Sequence, residues 1–565
     1  MLADTALTNT GQRAKIALPT SIHYNYSSFV NNRQRAGYKH NMREFAKRIW
    51  NAAARSVRFG ALKQGQLATV ARRNSINDMR WFQRVGPAWL LASCLLVSNP
   101  VAARTLVVNR MAAAANDQNA GTPEEPLKTI QRAAELALPG DTVLVHAGVY
   151  RERVAPARGG RAGRPIIYRA AAGERVIIKG SEVWAPTWVQ PDTSKRVYSA
   201  QMDDTLFLRC RIHPYRTLLA KTPGRDALTL GQLFVNGRTL TEVSQVDRLE
   251  EIAGTWRVSA DGRTISIHLP DDLARPEDGQ FELTVRERIF APHQRGLGHI
   301  HVIGFVMEHC ANQFPDQFWR SKTPQAGALG CRAGHHWLIQ ANTIRLAKSI
   351  GIDCGYEGSN DLEGSQPTPQ NSGYHVIRDN IITDNGCCGI AGMSSHGTQI
   401  VHNRIERNNR LRHYAPEIGG IKVHHFVGGL IEENLIRDNF AHGIWIDNIY
   451  RNARVSRNLV VSNHGNGIFI ELGQGPMLVD NNIVAHTKSG YHPQDPRGDG
   501  LYSHDASGVT FAHNLVFGSQ RFGAFHTKAT ARRGAAVSRI RLLNNIFLYN
   551  QQGHLCLPWP TAAAQ

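Results

Sequence analysis

The residues best placed to do chemistry are two acids in a repeated setting. Gly443-Ile444-Trp445-Ile446-Asp447 and Gly467-Ile468-Phe469-Ile470-Glu471 share the pattern Gly-Ile-aromatic-Ile-acid, 24 residues apart. Successive side chains of a β-strand face opposite ways, so Ile444 and Ile446 point to one side, Trp445 and Asp447 to the other. The second copy repeats this with Ile468, Ile470, Phe469 and Glu471. If 24 residues make one coil of a solenoid, Asp447 and Glu471 lie side by side on parallel strands about 4.8 Å apart. Carboxylates about 5 Å apart can divide a double displacement at a sugar acetal, one as nucleophile and one as acid and base.

The elements that must position them form a repeat. Asn followed by apolar residues recurs at Asn380, Asn403, Asn434, Asn458, Asn482, Asn514 and Asn545, with spacings of 23, 31, 24, 24, 32 and 31. A period near 23 with insertions fits a right-handed parallel β-helix whose stacked Asn side chains bond from coil to coil. Tight hairpins and a leucine-rich template are both missing from this stretch. Near the front, Thr105–Val108 and Thr142–Val145 read as strands. Between them Ile130, Ala133, Ala134 and Ala137 fall on one helical face, so 129–137 reads as a helix covering the open end. Residues 104–184 are the cap and first coils. Asn236-Gly237 and Asp261-Gly262 are hairpin turns, so 185–298 reads as an inserted antiparallel β domain. The coil resumes at His299 and runs to 557, leaving 558–565 as a tail.

Aligning the glycines places His424, Asp447, Glu471 and His504 in one outward column, with Lys422, Trp445, Phe469 and Tyr502 in the next. Aromatic faces suit the C–H face of a sugar ring. Two close carboxylates cannot both ionise freely, which should raise one toward the range of a general acid. The plainer readings are a solvated acid for either carboxylate, packing for Trp445, and surface or turn roles for His424 and His504. A matched pair of like charges on adjacent strands is unfavourable, and so is less expected by accident. Glu417 begins the coil before Asp447 and can reach the same cleft. His396, in Ser394-Ser395-His396-Gly397, has no partner in register and fits the shaping of a turn. Insertions at 404–418 and 486–500 flank these coils and suit cleft walls.

The formal charge is +20, but residues 1–78 hold 13 Lys/Arg against 3 Asp/Glu and residues 79–103 add +2. Little of the excess is left for the coils, which argues against a nucleic-acid partner. Residues 79–103 read as a secretory signal: a basic start at Met79, an apolar run from Val85, and Val101-Ala102-Ala103 for cleavage. Residues 1–78 then read as a non-native or disordered extension. The alternatives are a basic tail before a membrane anchor, for which the apolar run is short, or lipidation at Cys94. The expected location is periplasmic or secreted, with no lasting membrane association. Eight Cys show no CxxC or Cys/His metal spacing, and read as buried thiols with room for one or two disulfides after export.

At the acid pair the sequence resembles glycoside hydrolase family 120, which includes β-xylosidases. The resemblance is carried by Glu417-Ile418-Gly419-Gly420-Ile421-Lys422, Gly443–Asp447, Arg454-Val455-Ser456-Arg457-Asn458-Leu459, and Glu471 with Gly475–Asn482. Glu308–Pro315 adds to it. The family's fold is a parallel β-helix interrupted by a β-sandwich. The resemblance implies Asp447 as nucleophile, Glu471 as acid and base, and Glu417 on the sugar hydroxyls. The expectation is therefore an all-β, pectate-lyase-like solenoid with a sandwich-like insert. It is expected to act as a retaining glycosidase on an oligo- or polysaccharide, with no cofactor and no metal. His424, Trp445, Tyr502, His396 and His504 are the further candidates for binding substrate. A polysaccharide lyase using Lys422 or Arg454 as base, and a non-catalytic carbohydrate-binding solenoid, are the rival readings.

Overall fold

The computed structural model describes residues 102–557, apart from 193–195, 221–226, 315–324, 358–370, 415–416, 491–496 and 528–537. The N-terminal extension, the signal-like segment up to residue 101 and the tail 558–565 lie outside the described residues. Among the described residues no helix is long and apolar enough to cross a membrane.

The chain is a right-handed parallel β-helix. Each coil is cut by corners into short strands, too short to bury anything alone. Stacked in register, they form parallel sheets of twelve, eleven and nine strands. In the first sheet Ile377, Ile400, Ile431, Val455 and Val479 are paired one above another. All five are fully buried in a core that runs the length of the solenoid. The helix Ile130–Leu136 closes the open end. Thr129 caps it by accepting from the Arg132 N–H, and Ile130, Ala133 and Ala134 face the core.

The insert is antiparallel except where Thr241–Glu242 pairs in parallel with Thr255–Val258, with sheets of four and five strands and a separate core that includes Trp184, Tyr215, Trp256 and Phe281. Both hairpin turns form where expected, joining Leu233–Val235 to Arg238–Thr239 and Thr255–Val258 to Thr264–His268. The insert's sheet begins at Ser181–Trp184, before the change of pattern at 185. It ends at Thr284, and Phe290 already bridges the coils through Val154 and Leu329. Neither edge carries a turn signal strong enough to be seen in the sequence.

The Asn ladder is continuous. Each Nδ2 donates to the next Oδ1 from Asn342 through Asn380, Asn403, Asn434, Asn458, Asn482 and Asn514 to Asn545. A second ladder, Asn385–Asn408–Asn439–Asn463, turns the chain into the nine-stranded sheet. The glycine that opens each motif is required by close approach of the coils. A Cβ on Gly443 would lie 2.6 Å from the Gly467 carbonyl oxygen, and one on Gly467 2.6 Å from that of Gly500. The seven described cysteines are all free thiols, five of them buried, so the described residues hold no disulfide.

Candidate active site

The nine-stranded sheet carries the site. Its central strands are Cys388–Met393, Gly419–Val427, Ile444–Arg451, Ile468–Glu471, Leu501–His504 and Phe522–Thr527. Pairing of Met393 with His424, His424 with Asp447, and Glu471 with His504 builds the outward column. Asp447 and Glu471 each follow the paired residues Ile446 and Ile470, one strand spacing apart. Every member of the column precedes a left-handed residue: Ser394, His425, Asn448, Leu472 and Asp505. The column therefore runs along a bend, where the pairing of Gly419–Val427 with Ile444–Arg451 shifts register and side chains can turn toward a common space.

These acids are not solvated. Asp447 is 7% exposed, Glu471 5% and Glu417 2%. Lys422, wholly buried, donates from Nζ to Asp447 Oδ2 at 2.9 Å. His424 Nδ1 lies 3.4 Å from the same oxygen. Burial alone would raise the Asp447 carboxyl, but the Lys422 charge, then His424, outweigh it and hold the carboxyl below its ordinary range. Asp447 therefore does not become the raised acid of the pair. Its second oxygen, Oδ1, is buried and has no hydrogen-bond partner among the described residues.

Glu471 is held differently. Trp445 Nε1–H donates to Glu471 Oε2 at 3.0 Å. His504 Nε2 lies 3.3 Å from Oε1, and His504 Nδ1 lies 3.1 Å from Asp505 Oδ2. The indole N–H and the imidazole thus fix the two oxygens of Glu471 in place. Glu417 lies beside the column, with Oε2 2.7 Å from His424 Nε2.

One expectation changes. Trp445 is not an open platform for a sugar. Phe469 stacks on its ring at 4.9 Å and 15°, and Lys422 Nζ sits 3.2 Å from its ring centre. Both faces are taken, and its role is toward Glu471 and Lys422. Phe469 in turn packs against half-buried Tyr502 at 4.8 Å, and the row continues from Tyr502 to Phe525 at 5.5 Å. His396 stays out of the column, in the turn after Met393, where it pairs with Gly373.

His442 was not singled out in the sequence, yet its buried ring touches Trp445 and Phe469 and lies 2.9 Å from Arg497 Nη1. Burial, then the charges of Arg497 and Lys422, keep it neutral far below the ordinary His range. Its Nδ1 accepts from the Asn466 N–H, and Asn466 Oδ1 accepts from the Asp499 N–H. The available signal was the polar residue before each motif glycine: His442, Asn466 and Asp499.

A family model described as a right handed beta helix region matches residues 327–516. Over 68 residues the chain is 40% identical to "Uncharacterized protein YwoF" of Bacillus subtilis, covering 12% of this chain and 14% of that one. Over 70 residues it is 37% identical to "Pectate lyase PEL9" of Emericella nidulans, covering 12% and 17%. The chain thus spans less than a fifth of either curated relative. Among solved structures, "The complex structure of XylC with xylose" is similar over 80% of this chain and 86% of that one, with a TM-score of 0.64 and 24% identity.

Proposed function

We propose that this chain is an exported, retaining glycoside hydrolase of β-xylosidase type, akin to glycoside hydrolase family 120, acting on an oligo- or polysaccharide. One observation carries the reading: Asp447 is kept ionised in a buried place, one oxygen anchored by Lys422 and the other unpartnered, one strand from a second carboxyl. In this reading Asp447 Oδ1 attacks the anomeric carbon as Glu471 gives its proton to the departing oxygen. The product is a glycosyl ester on Asp447 and a Glu471 carboxylate. Glu471 then takes a proton from water, the hydroxide oxygen bonds to the anomeric carbon, and Asp447 leaves as the carboxylate. Trp445 and His504 hold Glu471 through both steps, and Glu417 with His424 receives sugar hydroxyls. The similarity to a xylose-bound solenoid agrees with this reading.

The lyase reading has weaker footing. Lys422 is bound to Asp447 and wholly buried. Arg454 lies on another sheet, paired with Asp480 at 2.7 Å. NMR of the first product from a panel of aryl glycosides, with a uronate polymer as control, tests the proposal. A sugar of retained configuration supports it; an inverted anomer or an unsaturated uronate overturns it.

A further inference from the structure

A second cluster lies away from the acid pair, at the corner where the coil resumes after the insert. His299 opens that coil, His335 and His336 stand on the next, and Tyr374 on the one after. The backbone stacks them: the His299 N–H donates to the His335 carbonyl at 3.0 Å, and the His336 N–H to the Gly373 carbonyl at 2.9 Å. His299, His336 and Tyr374 share the left-handed conformation, with φ of 54°, 56° and 55°. Their rings therefore repeat from coil to coil, His299 on His336 at 4.9 Å and His336 on Tyr374 at 5.2 Å. His335 folds across this stack, nearly perpendicular to His299 and His336. It lies so close over Gly298 that a Cβ there would be 2.1 Å from its Cε1.

An aromatic stack needs only His299, His336 and Tyr374, so it leaves His335 unexplained. His335 brings its Nδ1 to 2.9 Å from His336 Nδ1. One nitrogen from each of the three rings lies within 4.8 Å of one from each of the others. Among the described residues no carboxylate forms an ion pair with any of them. Three converging imidazoles with no acid to balance a proton suit a divalent ion that prefers nitrogen. With Zn–N bonds of about 2.0–2.1 Å, the nitrogens of a tetrahedral ion lie roughly 3.3 Å apart, between the 2.9 Å of the His335–His336 pair and the 4.8 Å that bounds the trio.

We propose that His299, His335 and His336 form a binding site for a divalent transition metal such as Zn²⁺, with the fourth position left to water. The ion ties the coil that follows the insert to its neighbour. The site is separate from the acid pair and does not depend on its chemistry.

The test uses the full chain without an affinity tag, stripped with chelator and titrated calorimetrically with Zn²⁺. One Zn²⁺ should bind per chain and raise Tm. His336→Gln, at an exposed position, should weaken binding by more than the roughly 10–100-fold that loss of an outer-shell partner costs. His336→Cys, which keeps a ligand atom there, should retain it. Circular dichroism matching wild type confirms that both variants are folded. The proposal is overturned if wild type binds no Zn²⁺ stoichiometrically, if His336→Gln binds as wild type does, or if His336→Cys binds no better than His336→Gln.

Discussion

Lys422 and Asp447 meet through a 2.9 Å bond between two buried charges on adjacent coils. Taking either charge out of water is costly, and leaving one without the other costs about 3–5 kcal/mol. Lys422→Met should therefore lower stability by about that amount in denaturant titrations at neutral pH. The sign with pH follows from the depressed carboxyl. Asp447 binds its proton less tightly folded than unfolded, so its contribution is complete above the ordinary value of 3.8 and is lost as pH falls through the folded value. Without Lys422, burial dominates and the carboxyl rises. The acid limb of kcat/KM should move to higher pH in the variant; an unmoved limb would mean that Lys422 does not set the ionisation of Asp447.

The two acids should separate by leaving group. Asp447→Ala removes the attacking oxygen and should abolish turnover on every substrate. Glu471→Ala should lose about 10²–10⁴-fold on poor leaving groups and far less on good ones, which need little protonation. Azide should restore turnover to the Glu471 variant and yield a glycosyl azide of retained configuration. Near-normal rates in both variants would place the chemistry elsewhere.

Trp445→Phe distinguishes an indole that serves Glu471 from one that stacks on sugar. The change removes the Nε1–H bond to a carboxyl, worth about 1.5–3 kcal/mol if charged, while keeping an aromatic ring on Phe469. We expect kcat to fall by about 10–100-fold with KM changed little. A rise in KM at constant kcat, measured by steady-state kinetics, would instead favour the platform role.

Asn458→Ala tests the ladder. Asn458 Oδ1 accepts from Asn434 N–H and Nδ2, and its Nδ2 donates to Ile431 O, Ser456 O and Asn482 Oδ1. Each buried group left unpaired costs about 1–3 kcal/mol, so the variant should lose several kcal/mol in chemical denaturation. The folded protein should keep the kcat that the proposal gives it, because Asn458 lies at a corner away from the acid column. Wild-type stability would show that the ladder is replaceable by water.

The solenoid is legible in the sequence because a coil repeats its environment. The same apolar faces, the Asn at one corner and the glycine at another must recur each time the chain returns, so period and register are written in it. For that reason the column His424–Asp447–Glu471–His504 could be read from spacing, and the hairpins of the insert from Asn236-Gly237 and Asp261-Gly262. The contacts across coils and between side chains are not written in that repeat. Lys422 and Phe469 close both faces of Trp445, and Lys422 keeps Asp447 ionised although burial opposes it. His442 reaches the aromatic row from a corner. His299, His335 and His336 converge although 36 residues separate the first from the second. A strand pattern states which way a side chain leaves the backbone; which partner it meets depends on rotamers and on loops of unequal length, and these follow no period.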